Sequence, residues 1–147
     1  MLNRLQTVFE SFQSHEVEYL VIGGIAAVLH GVPRATFDLD ILIRPTESNA
    51  HRLLEALRAA GLGTADLIDV AGVLGNEITV FNDRVRIDVQ TATPGITFDE
   101  AWSRRETMEY RDQPFFVVCK ADLIASKKAA GRNRDLEDVR VLELQSE

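Results

Sequence analysis

The chain has 147 residues, 46% of them hydrophobic and 27% charged, which suits a soluble globular fold with one core. Its formal net charge of -7 argues against a broad nucleic-acid footprint, though a few local arginines can still hold an anionic substrate. The single cysteine, Cys119, excludes an intramolecular disulfide, no apolar run reaches membrane-spanning length, and Met1-Leu2-Asn3-Arg4-Leu5-Gln6 carries no signal-peptide pattern. We therefore expect a cytoplasmic protein without membrane contact.

Leu2, Leu5, Phe9 and Phe12 recur at helical spacing and predict an amphipathic helix over residues 2–15. Tyr19-Leu20-Val21-Ile22 predicts a short apolar strand ended by Gly23-Gly24. A short helix over 25–30 follows, stopped by Gly31 and Pro33. The run Phe37-Asp38-Leu39-Asp40-Ile41-Leu42-Ile43 predicts a strand, closed by Pro45. Thr46 or Ser48 can cap a helix to about Ala60, with Glu47 placed to suit its dipole. Residues 63–76 give no clear element, since Gly63, Gly72 and Gly75 interrupt their apolar pieces. Two strands, 77–81 and 85–91, form a hairpin around Asn82-Asp83-Arg84.

After a turn at Thr93-Pro94-Gly95, residues 98–105 predict a short helix containing Trp102. A second hairpin spans 106–118, turning at Asp112-Gln113-Pro114, and helices over 120–130 and 134–145 are separated at Gly131. Helices interleaved with hairpins imply an α+β fold. It is a mixed sheet with helices packed around it, ending in a C-terminal helical hairpin. We expect one domain, with a core over about 17–91 and the C-terminal strands and helices over about 98–145.

Four pieces carry chemistry. Side chains alternate along a strand, so Asp38 and Asp40 share one face. Strands disfavour aspartate, and two like charges this close destabilise a fold unless a cation sits between them. Divalent metals take such oxygen ligands; Arg34 and Arg44 offer the alternative of surface ion pairs. Asp88 alternates with apolar residues in Val85-Arg86-Ile87-Asp88-Val89. If its strand lies beside the first, three carboxylates converge and can hold two magnesium ions for displacement at phosphorus. Alone, Asp88 reads as a solvent-facing acid paired with Arg86 or Arg84. Gly23-Gly24 between strand and helix lets backbone N–H groups approach an anion, or simply makes a tight turn. In the tail, Lys127 lies four residues after Leu123 on the inward stripe of its helix, where it reaches a cleft or snorkels to water. Arg134 and Asp138 are spaced for an i,i+4 pair. His15, His51 and Cys119 lack partners at useful spacing.

Together, strand-Gly23-Gly24, Asp38-x-Asp40 and the distant Asp88 resemble the nucleotidyltransferase superfamily of the DNA polymerase β type. The tail, Lys127 followed by Arg134 and Asp135-x-x-Asp138, resembles its small prokaryotic branch of AbiEii-like toxins and minimal nucleotidyltransferases. The likeness covers about residues 19–91 and 117–142. It implies a phosphate-binding turn at Gly23 and Gly24, although the turn more often reads Gly-Ser. It also implies metal bridging by Asp38 and Asp40, and Asp88 as third metal ligand and base. Lys127 would lie on nucleotide phosphates, Asp135 matches a tail position of the nucleotide site, and Arg34 and Thr36 border the cleft. The cofactor implied is Mg2+ or Mn2+, and the substrate a nucleoside triphosphate. The acceptor hydroxyl could belong to a tRNA end, a protein or a small molecule. The toxin branch further implies an antitoxin partner. Apolar segments such as 67–74 leave room for a homo-oligomer. The competing reading is an inactive nucleotidyltransferase-fold protein that serves as a binding or regulatory module, and a weaker third reading is a phosphodiester hydrolase.

Overall fold

A computed structural model describes residues 2–145. Six strands form one mixed sheet: β1 Tyr19–Ile22, β2 Leu39–Ile43, β3 Ile78–Asn82, β4 Arg86–Gln90, β5 Glu106–Tyr110 and β6 Gln113–Val117. Their order is β3-β4-β2-β1-β6-β5. β1 runs antiparallel to β2 and parallel to β6, whereas β2 runs parallel to β4. The two hairpins, β3–β4 and β5–β6, supply the edges. The α+β architecture expected from the sequence is what forms, and strands from both halves of the chain share the sheet.

The helices are α1 Gln6–Ser14, α2 Gly23–Leu29, α3 Glu47–Ala59, α4 Val70–Leu74, α5 Phe98–Ser103, α6 Lys120–Ala130 and α7 Asn133–Leu144. One sheet face, carrying Tyr19, Val21, Leu39, Ile41, Ile43, Phe81, Ile87 and Val89, lies in the core. Helix α1 covers it with α3, and Phe9 stacks on Phe115 at a centroid distance of 4.6 Å. The other face carries Ile22, Asp40, Asp88 and Gln90. Its β1–β2 part is covered by α2, which also touches α6. Over β3 and β4 it stays open, leaving Ile78 and Val80 about half exposed, at 53% and 47%.

Several boundaries differ from the sequence expectation for physical reasons. The first helix splits into a 3-10 turn, Leu2–Arg4, and α1. Asp38 falls just outside its strand, because pairing to β1 and β4 begins at Asp40 and Leu39. The second helix starts at Gly23 rather than Ile25. The 106–118 hairpin turns at Arg111-Asp112, one residue earlier than expected. Both of these residues take positive φ, 50° and 67°, as the tight primed turns demand. Pro114 then pairs within β6, opposite Glu109. Residues 63–76 resolve into a 3-10 turn, Gly63–Leu67, and α4, which Asp69 caps by accepting from Gly72 N.

Thr46 caps α3, accepting from the Asn49 amide. Asn49 itself is fully buried. Its Oδ1 accepts from Glu18 N at 2.8 Å, while Nδ2 donates to the Glu18 and Arg44 carbonyls at 2.9 and 3.0 Å. One side chain thus joins α3 to the start of β1 and the end of β2. Asn49→Ala strands these buried backbone groups and should lower unfolding free energy by roughly 2–4 kcal/mol in urea titration. A loss below about 0.5 kcal/mol would mean that water replaces the clamp.

Candidate active site

The open half of the sheet meets the C-terminal helices in a cleft of about 760 Å³. It is lined by Gly23, Gly24, Arg34, Thr36, Asp38, Asp40, Asp88, Lys127 and Asp135, so every site residue expected from the sequence borders one space. The register explains the acidic centre. Asp40 on β2 stands directly opposite Asp88 on the parallel strand β4. Asp38 precedes β2 by one residue and is half exposed.

The glycine pair has a steric reason. Gly23 takes φ 67°, and a Cβ there would stand 2.3 Å from Asp40 Oδ2. A Cβ on Gly24 would stand 2.7 Å from Thr36 Oγ1 and 3.2 Å from Arg34 Nη2. Three cleft side chains therefore approach the chain where only glycine leaves space. No side chain caps α2 at this end, so its first amides face the cleft without an intrahelical acceptor.

A basic wall stands opposite, and it is braced by buried acids. Lys127 Nζ lies 2.9 Å from Asp138 Oδ2 and 3.5 Å from Asp135 Oδ1. Arg34 forks onto Asp138 at 3.1 and 2.9 Å, and Arg132 onto Asp135 at 2.6 and 3.2 Å. Asp135 and Asp138 are each 2% exposed. Burial alone would raise their carboxyls, yet the Arg132, Arg34 and Lys127 contacts hold both below the usual carboxylate range. The Arg134–Asp138 pair suggested by spacing gives way to this arrangement. Lys127 points inward as expected, but its first partners are the two aspartates. Asp135 meets the cleft through these cations.

Asp138, Arg132 and Arg86 were not singled out as site residues by sequence reasoning. Asp138 had a signal, since it lies one helical turn after Asp135. So did Arg86, two residues before Asp88 and hence on the same face. Arg86 Nε donates to Asp88 Oδ1 at 3.0 Å and lies 3.7 Å from Asp38 Oδ2. The alternative of Arg34 or Arg44 pairing with Asp38 and Asp40 does not form, and Arg86 reaches Asp38 instead. Arg34 serves Asp138, and Arg44 pairs with Glu18 and Asp99.

The model of a family described as "Nucleotidyltransferase of unknown function (DUF6036)" matches residues 2–147. The chain belongs to this nucleotidyltransferase family. No curated protein matches it. Among the described residues, no helix is long and apolar enough to cross a membrane.

The acidic centre of the cleft is electrostatically unbalanced. Burial, then the neighbouring Asp88 and Asp38 charges, push the Asp40 carboxyl from 3.8 up to about 6. Three carboxylates with excess negative charge are the donor set a hard divalent cation prefers. Among the described residues, no three His, Cys, Asp or Glu side chains already stand as a preformed metal cage. Arg86 occupies part of that space instead.

The Asp40 shift has a definite sign. Its folded carboxyl holds a proton up to about pH 6, whereas the unfolded one releases it near 3.8. Stability contributed by the neutral form is therefore lost as pH rises between these values. In chelator, Asp40→Asn should match wild type near pH 4 and exceed it by about 3 kcal/mol at pH 7, by urea unfolding. A difference that does not change with pH contradicts the strained-carboxylate account.

Proposed function

We propose that the protein is a metal-dependent nucleotidyltransferase, moving a nucleoside monophosphate from a nucleoside triphosphate to an acceptor hydroxyl. The observation that carries this reading is the pairing of Asp40 with Asp88 across parallel strands, inside a cleft whose opposite wall is cationic. Asp38, Asp40 and Asp88 would hold Mg2+ or Mn2+, and Asp88 would also take the acceptor proton. When bound, the metal supplies Lewis-acid polarisation of the phosphoryl oxygens and lowers the pKa of the attacking hydroxyl. Gly23 and Gly24 admit the triphosphate close to the backbone. Lys127 and Arg34, held still by Asp138 and Asp135, spread positive charge along the transferring and leaving phosphates. Thr36 borders the same turn. The hydroxyl attacks the α-phosphorus, a new P–O bond forms, and pyrophosphate departs.

Acceptor and biological role are further steps of the same proposal. The tail pattern supports the AbiEii-like branch, with a tRNA end, protein or small molecule as acceptor, and a toxin role beside an antitoxin. The apolar rim at Phe37 and Ile78, 85% and 53% exposed, borders the cleft where an acceptor would enter. One observation favours the second reading, an inactive binding module: the Arg86 guanidinium already pairs with Asp88 and Asp38.

Labelled-nucleotide transfer to total RNA and to protein separates the two. Wild type should transfer label with Mg2+ or Mn2+, and Asp40→Ala should lose at least about a thousand-fold of the rate, as expected when a charge-stabilising group is removed. Equal labelling by both proteins would sink the mechanism. Absence of both transfer and calorimetric heat with every metal–triphosphate pair would favour the binding module.

A further inference from the structure

Arg86 differs from Arg34, Lys127 and Arg132 in the cleft. Arg34 and Lys127 are tied to Asp138, and Arg132 to Asp135, both acids buried. Arg86 has no buried acid. Its ion-pair partners are Asp88 and Asp38, two of the three carboxylates at the acidic centre. It forks onto Asp88, with Nε to Oδ1 at 3.0 Å and Nη2 to Oδ2 at 3.4 Å, so both oxygens of that carboxylate are engaged. The strand fixes this reach, because Arg86 and Asp88 alternate on one face of β4 beside the Asp40 position. At 44% side-chain exposure the arm can leave into water, and its Asp88 partner, at 16%, is less sealed than Asp135 and Asp138 on the opposite wall.

We propose that Arg86 is a built-in competitor for the divalent cation, a gate that occupies Asp88 and Asp38 until metal displaces it. The proposal rests on the reading that these acids hold metal. The physical basis is exclusion: carboxylate oxygens accepting a guanidinium fork cannot also be directed at an ion. The apparent metal affinity is then the intrinsic affinity multiplied by the fraction of time the arm is away. An arm docked about nine-tenths of the time weakens metal binding about ten-fold.

The test is Mn2+ binding to the nucleotide-free protein, read by electron paramagnetic resonance of free Mn2+. Arg86→Gln should bind about ten-fold more tightly than wild type, and its melting temperature should rise more on adding Mn2+. Arg86→Lys keeps the charge but loses the fork, and should fall nearer to Arg86→Gln than to wild type. Asp40→Ala sets the baseline. Wild-type affinity in Arg86→Gln, or Arg86→Lys indistinguishable from wild type, overturns the gate while leaving the acids as a metal site. If wild type and Arg86→Gln both bind no more Mn2+ than Asp40→Ala, the metal reading fails and the gate with it.

Discussion

The pairing of β2 with β4 is the constraint on which the cleft depends. Parallel register sets Asp40 against Asp88 as surely as it sets Ile41 against Val89 in the core. A slip of β4 by one residue would carry Asp88 into the apolar layer and Ile87 and Val89 out of it. The core therefore enforces the repulsion. Leu39, Ile41, Ile87 and Val89, all essentially buried, fix the strands so that two like charges have nowhere else to go. The elevated Asp40 carboxyl is the electrostatic consequence.

The chain manages this charge in two ways that differ by burial. Asp135 and Asp138 are sealed beneath Lys127, Arg34 and Arg132, and removing one member of such a buried set leaves a bare charge, which typically costs about 3–5 kcal/mol. That set joins the loop before β2 to α6 and α7, so it is both a structural clasp and the reason the cationic wall stands where it does. At the acidic centre the counter-charge is Arg86, on an exposed arm. The same residue types thus form a fixed wall on one side and a yielding contact on the other.

Most of the fold was legible because its signals are local. Leu39, Ile41 and Ile43 alternate, α3 has its Thr46 cap, and Gly131, with φ 70°, ends α6. Boundaries failed where a partner strand decided them: Asp38 has the strand pattern but no ladder neighbour in β1 or β4. The second hairpin's turn was placed one residue late because neither Arg111 nor Asp112 advertises positive φ as glycine would. At the site, the residues singled out by spacing line one cleft, but the Arg134–Asp138 pair did not form. Arg34 and Asp138 stand 104 residues apart, and no local pattern reports a contact between them. Asn49 likewise looked like an ordinary helical residue, and its role appears only once Glu18 and Arg44 are folded around it.

The glycine pair shows how a motif and its physical cause can differ. In sequence, Gly23-Gly24 suggests room for a phosphate. In the fold, that room is already claimed by the chain's own Asp40, Thr36 and Arg34, which approach to distances no Cβ would permit. The glycines let an acid and a basic side chain converge on the helix start. A serine at position 24, as the wider superfamily often carries, would collide here with Thr36 and Arg34. Thr36 Oγ1 stands 2.7 Å from the missing Cβ position, so a hydroxyl is nevertheless present at the turn, contributed from the loop that precedes β2. On this geometry Gly24 is the residue that makes space for the Thr36 hydroxyl beside the turn.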